Sequence, residues 1–246
     1  MTLELKNLSV QSGGRILVQG ISLSVEPGQV TAILGANGAG KSELVLGVAG
    51  MLAIASGTVQ VDGVDITGKT PDIIRSLGVA AVPEGHKVLT RLSVDENLRA
   101  AGSLLRQGMK QALGDTYALF PELAERKGQN AGTLSGGQQQ MLALGHALIS
   151  RPKYILIDEM SLGLAPLVVK RLMGVVGDLK SQGVGVILIE QFTELALGIA
   201  DNAMVLRGGK VRFAGAAATL KADTTLLDEA YFGRGHQPTT AGGTSP

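Results

Sequence analysis

The sequence predicts an α/β fold: a parallel sheet with helices on its faces. Three observations carry this. Residues 30–34, Val-Thr-Ala-Ile-Leu, form an apolar run bounded by turns, the pattern of a strand buried on both sides. A second such run, residues 154–157, ends in the acids Asp158 and Glu159. Between residues 154 and 200, strand-like and helix-like patterns alternate, which implies parallel strands joined by helical crossovers.

Taken in order, residues 2–10 alternate apolar Leu3, Leu5, Leu8 and Val10 with polar neighbours and read as a strand. Gly13-Gly14 turns the chain into a second strand over 15–25, and Pro27-Gly28 turns it into the run at 30–34. Leu44, Val45, Val48, Met51 and Leu52 are expected on one face of the next helix. Asp62-Gly63 signals a hairpin between 58–61 and 64–66. A short helix over 71–77 precedes a strand over 78–82.

From Ser93 the texture becomes helical. Ser93 and Glu96 form a capping box, with Leu98, Leu104 and Leu105 continuing the helix. A second helix covers 111–120 and a third begins near Ser135, carrying Met141, Leu142, Leu144, Leu148 and Ile149. This stretch, about 85–150, reads as a helical lobe inserted into the α/β part. A helix over 166–180, a strand over 184–190 and a helix over 193–200 follow, then a hairpin of 203–206 with 210–213. Residues 1–232 read as one domain, and the Gly-, Thr- and Pro-rich 233–246 as a disordered tail.

Composition narrows the function classes. The 246 residues carry a net charge of +1 with no basic block, which argues against a nucleic-acid surface. No cysteine is present, so disulfides, thiol catalysis and Cys-based zinc sites are excluded. His86, His146 and His236 are scattered and suggest no metal site. The N-terminal residues lack signal-peptide features, and the longest apolar runs are too short to span a bilayer. A cytoplasmic protein, docked on a membrane partner, is the expectation.

Gly35-Ala36-Asn37-Gly38-Ala39-Gly40-Lys41-Ser42 fits G-x-x-x-x-G-K-[ST], placed between a strand and a helix. In a chain with 35 glycines the spaced glycines alone mean little; Lys-Ser and the strand–helix frame point to a phosphate-binding loop. Such a loop turns backbone N–H groups toward a polyphosphate, with the helix N-terminus adding positive charge. Lys41 is expected on the β/γ-phosphates, and Ser42 with Asp158 on Mg²⁺. Glu159 is expected to polarise the attacking water.

Leu134-Ser135-Gly136-Gly137-Gln138 reads as a second anion cradle at a helix start, Gln138 lying twenty positions before Asp158. With this motif the chain resembles the ATPases of ABC transporters, whose signature is LSGGQ; the resemblance covers about residues 2–232. It implies the P-loop NTPase fold of ABC ATPase type: a mixed central sheet, an N-terminal antiparallel β part and an inserted helical lobe. It also implies that ATP is held at a head-to-tail dimer interface, with Ser135, Gly136, Gly137 and Gln138 on the partner's nucleotide. Glu43, next to the loop, falls in the nucleotide-binding set.

Three further stretches resemble the LivF-like ATPases of branched-chain amino-acid uptake: Val82-Pro83-Glu84-Gly85, Ser161-Leu162-Gly163-Leu164-Ala165-Pro166 and Ile189-Glu190-Gln191. Glu84 then stands where most ABC ATPases have a glutamine, near nucleotide and metal, and Gln191 where they have a histidine. The implied partners are a second ABC ATPase subunit, two membrane permeases at the cytoplasmic face and, indirectly, a periplasmic or extracellular solute-binding protein. The chain departs from the family at Ser12, where an aromatic residue stacks on adenine; none precedes Tyr117. Arg15 offers a planar guanidinium instead. Glu43 replaces a common Thr or Ser, and Met160 a Pro. Other readings stay open: a nucleic-acid-directed ABC ATPase, a nucleotide kinase, a nucleotide-gated subunit with little turnover, or an importer ATPase for urea, amides or aromatic acids.

Overall fold

The computed structural model describes residues 1–85, 88–105 and 107–233. Most of the expected tail, 234–246, lies outside the described residues. β1 (Leu3–Ser12) and β2 (Arg15–Val25) form a hairpin turned by Gly13 and Gly14, both at positive φ. β3 (Val30–Leu34) leads to α1 (Lys41–Val48). β4 (Ala53–Val61) and β5 (Val64–Asp65) follow, then α2 (Pro71–Ser76) and β6 (Val79–Val82). The helical lobe comprises α3 (Val94–Ala101), α4 (Met109–Leu119), α5 (Pro121–Ala124) and α6 (Gly136–Leu148). β7 (Tyr154–Asp158), α7 (Pro166–Ser181), β8 (Gly185–Ile189) and α8 (Thr193–Ile199) return to the sheet. β9 (Asn202–Arg207) and β10 (Lys210–Ala216) close it, before α9 (Ala217–Ala222) and α10 (Thr224–Phe232).

Two sheets result. One is antiparallel, in the order β2-β1-β4-β5; the other is mixed, in the order β10-β9-β3-β8-β7-β6. In the second, β9, β3, β8, β7 and β6 run parallel and only β10 is antiparallel. Every residue of β3, β7 and β8 is buried, as strands covered on both faces must be. The period-2 side-chain alternation then splits each strand between two cores. Ile155, Ile157, Val186 and Leu188 join the helical lobe through Phe120, Leu142 and Leu144. Leu156, Ile187 and Ile189 face the antiparallel sheet through Leu3, Leu5 and Ile21.

The lobe is held by polar devices as well. Ser93 caps α3 in a reciprocal box with Glu96. Asn97, fully buried, bonds Leu89 N–H at 2.8 Å and the carbonyls of Leu89, Leu92 and Ser93 at 2.9–3.1 Å, pinning the loop that enters α3.

Three expectations need correction, and two helices were not foreseen. α1 stops at Val48, and Gly50 at φ 75 turns the chain away, so Met51 lies off the helix and is 50% exposed. α3 ends at Ala101 with Gly102 as its cap; Leu104 and Leu105 do not continue it. Glu159 lies outside the strand, which ends at Asp158. α9 and α10 went unforeseen because they bury little: Ala217 and Leu220 from one, Ala230 from the other.

His146 of α6 packs beside Arg75, whose guanidinium donates to the His146 carbonyl. Burial, reinforced by the Arg75 charge, pushes the imidazole down to about 4 from an ordinary 6.5. The folded chain thus keeps His146 neutral while the unfolded chain protonates, and stability drains away as pH falls from 6.5 toward 4. Urea unfolding at about pH 7 and about pH 5 is expected to show roughly 2 kcal/mol of this loss in the wild type. That component should vanish in His146→Gln.

Candidate functional site

The parallel register sets the site. Asp158 pairs with Ile189, and Ile33 with Ile189 from the other side, so β3, β8 and β7 end level. In open α/β sheets ligands bind at this edge.

The segment after β3 approaches other backbone so closely that glycine is obligatory. Gly35 sits at φ 145, and a Cβ there would lie 2.2 Å from the Leu206 carbonyl oxygen. Gly40, at φ 101, would place one 2.9 Å from Val18 Cγ2. Gly38, at φ 75, faces open space. Ala36, Asn37 and Gly38 are exposed at the rim, while Ala39 is buried beneath them. Lys41 opens α1 and is only 4% exposed; its Nζ donates to Gly35 O at 2.9 Å and Ala36 O at 3.2 Å. Glu43 lies in the first turn of α1, where the helix dipole favours an acid.

Asp158, 1% exposed, is the last residue of β7 and lies beside the Ser42 hydroxyl. Burial pushes its carboxyl up to about 6; Ser42 and Lys41 oppose this, and the Glu159 and Glu84 charges add to it. Glu84 itself is exposed, just past the end of β6. Glu159 occupies the left-handed region at φ 45, a conformation that costs a non-glycine residue roughly 1–2 kcal/mol. Its N–H donates to Ile189 O at 3.0 Å, and its carboxylate lies 3.9 Å from Lys41 Nζ. Gln191 Nε2 reaches Asn37 Oδ1 at 3.1 Å and the two Glu159 carboxylate oxygens at 3.4 and 3.3 Å. One amide therefore ties the loop after β3 to the turn after β7.

The structure thus assembles the loop 35–40 with Lys41, Ser42, Asp158, Glu159, Gln191 and Glu84. It keeps Ser135–Gln138 apart: among the described residues no hydrogen bond or ion pair joins 135–138 to 35–43. That segment serves its own helix. Ser135 Oγ accepts from Gln138 N at 3.3 Å, and Gln138 Oε1 accepts from Ser135 N at 3.0 Å. Gly137 must lack a side chain, since a Cβ would lie 2.6 Å from Val168 Cγ1. Ser135 and Gly136 stay exposed. Ser12 and Arg15 are exposed at the tip of the β1–β2 hairpin, and Leu17 and Val18 of that hairpin pack on Gly40.

Sequence reasoning missed two features. One is the Asn37 carboxamide as a partner of Gln191, for which a residue string carries no signal across 154 positions. The other is Glu190, 1% exposed and bonded to the Ser161 hydroxyl. An acid ending an apolar strand was the same signal that singled out Asp158.

The donor set suits magnesium. Asp158 Oδ1 is buried without a hydrogen-bond partner among the described residues, beside a hydroxyl oxygen. Mg²⁺ takes one or two carboxylates and completes its shell with water and phosphate oxygens.

A glycine-bound phosphate loop and a strand-end acid pair on a parallel sheet define a nucleoside triphosphatase of the P-loop class. Within that class the chain belongs to the ABC transporter family, whose model matches residues 18–161. It is 41% identical to the high-affinity branched-chain amino acid transport ATP-binding protein BraG of Pseudomonas aeruginosa, over 87% of this chain and 91% of that protein. It is 35% identical to a probable branched-chain amino acid transport ATP-binding protein, LivF, of Archaeoglobus fulgidus, over 81% and 86%. Its fold matches a nucleotide-free ATP-binding cassette from an ABC transporter with a TM-score of 0.81 at 26% identity, covering 93% of this chain and 98% of that one. A cassette solved in its ADP conformation matches equally, at 0.81 and 26% over the same shares. The chain is an ATP-binding, ATP-hydrolysing subunit of this family, which acts in pairs alongside membrane permeases.

The glycine geometry separates two substitutions. Gly35→Ala must displace the Leu206 strand and is expected to cost about 2 kcal/mol or more, with loss of nucleotide binding. Gly38→Ala meets only its backbone preference and is expected to cost about 1 kcal/mol. Thermal unfolding and nucleotide titration of both variants check this.

Proposed function

We propose that this chain powers import of branched-chain or related amino acids, hydrolysing ATP at the cytoplasmic face of the membrane while separate permeases carry the solute. The observation supporting it best is the convergence of Lys41, Ser42, Asp158, Glu159 and Gln191 on the rim of the glycine loop. Residues 1–232 act as one ATPase domain, with the lobe of about 85–150 and the Glu84 segment turned toward the permeases. The name of the relative from Pseudomonas supports the solute class.

In this reading the amides of residues 35–43 wrap the phosphate tail, and Lys41 neutralises its β/γ-oxygens. Ser42, Asp158 and Glu84 hold Mg²⁺, which supplies further positive charge against the phosphates. Glu159 accepts a hydrogen bond from the attacking water and aims it in line with the bond to be broken. Gln191 donates its amide to the γ-phosphate; lacking a second charge state, it polarises less than an imidazolium. Ser135, Gly136, Gly137 and Gln138 complete the site of the partner subunit, through an exposed helix N-terminus whose dipole favours an anion. The companions are a second ABC ATPase subunit, identical or related, two permeases and, indirectly, a solute-binding protein; nucleic acid is not among them. No helix among the described residues is long and apolar enough to cross a membrane, so the permeases supply the path.

A nucleotide-gated subunit with little turnover is the second reading, favoured by the Gln191 amide resting on the Glu159 carboxylate. Phosphate release separates the two. Under the first, Glu159→Gln is expected to slow release by about a hundredfold or more while ATP affinity stays within a few-fold. A wild type no faster than Glu159→Gln would sink the hydrolytic role.

Exposed Ser12 and Arg15 replace an aromatic base platform. ATP and GTP are therefore expected to compete within about threefold of each other, the guanidinium plane stacking on either purine. Equilibrium competition binding checks this, and a clear ATP preference would count against Arg15 as the platform.

A further inference from the structure

Glu190 has no part in the mechanism above, yet it is placed at its centre. It directly follows β8 and is 1% exposed, a costly position for a carboxylate unless it is partnered. Its Oε2 accepts from the hydroxyl of Ser161, which is 2% exposed, and the amides of Ser161 and Met160 act on the same group. Oε1 has no hydrogen-bond partner among the described residues. Burial raises the carboxyl above its usual range, against the pull of the Ser161 bonds.

The neighbours give this pair its meaning. Met160 and Ser161 come immediately after Glu159, and Gln191 immediately after Glu190. The β8 end grips the Glu159 turn at three levels. Ile189 O takes the Glu159 N–H at 3.0 Å. Glu190 takes the Ser161 hydroxyl. Gln191 places its amide 3.3 and 3.4 Å from the Glu159 carboxylate oxygens. A left-handed glutamate persists only where its surroundings over-determine it, and Glu159 stands at φ 45. Of the three grips, the one between Glu190 and Ser161 is shielded from water on both sides. The exposed Gln191 amide is free to exchange its partner for a phosphate oxygen, so it cannot hold the turn through a catalytic cycle.

We propose that Glu190 is a positioning residue: acting through Ser161, it clamps the turn 159–161 to the end of β8 and so fixes the aim of the Glu159 carboxylate. The same clamp fastens the loop 161–165, which leads into α7, to the strand end that carries Gln191. The inference rests on Glu159 polarising the attacking water.

The test measures kcat, KM, ATP affinity and Tm for Glu190→Ala, Ser161→Ala, the double variant and Glu190→Gln. Each alanine variant is expected to lower kcat about tenfold or more with ATP affinity within about threefold. The double variant should be no slower than the worse single one, because both remove one clamp. Glu190→Gln should recover most of kcat, since its amide oxygen still accepts from Ser161. A folded Ser161→Ala with wild-type kcat overturns the proposal. So do additive losses, or a fall in kcat that merely tracks a fall in affinity and Tm. Should Glu190→Ala fail to fold, Ser161→Ala, which removes one hydroxyl oxygen, decides alone. Failure of the underlying role of Glu159 is read separately, as wild-type release no faster than that of Glu159→Gln.

Discussion

The parallel register of β3, β8 and β7 is the constraint on which everything else hangs. With Ile33 and Asp158 both opposite Ile189, three chain segments emerge at one edge. Each delivers one part of the site: the glycine loop, the acid pair and the Gln191 amide. A one-residue slip in any strand would reverse its side chains, moving Asp158 from one face of the sheet to the other. The two-sided core opposes such a slip, because alternate residues of β7 and β8 are already committed to different hydrophobic clusters.

That arrangement gathers acids where burial disfavours them. Asp158 is driven up to about 6, Glu190 is raised as well, and Glu159 lies in a strained backbone region. Such costs cluster at the strand edge where the proposed nucleotide site lies, and they mark where the fold gives up stability for chemistry. Local hydroxyls and amides offset part of the cost: Ser42 on Asp158, Ser161 on Glu190, and the Ile189 carbonyl on the Glu159 N–H.

The helical lobe follows a different logic. Its Ser135 cap and Gln138 are satisfied by each other, and Gly137 is needed to let Val168 approach. Within one chain this segment has no link to the loop 35–43 among the described residues, while Ser135 and Gly136 remain exposed. A helix N-terminus so presented has its cap satisfied within its own helix, while its first residues stay open to solvent.

Much of this was legible in the residue string. Apolar-rich runs within 30–34, 154–157 and 184–189, bounded by turns, point to strands buried on both faces, because a strand with one solvated face would alternate with polar residues. The glycine loop, the capping box at Ser93, the helix start at Ser135 and the strand-end acids are local chemistry, readable within a few residues. Tertiary structure alone decided the rest. That α1 stops before Met51, and that α9 and α10 cover the last strands with few buried residues, depends on what those segments pack against. The strand order was likewise a matter of packing. So was the meeting of Asn37 with Gln191 and of Ser161 with Glu190, because such contacts depend on which strands lie side by side, and no local pattern records that.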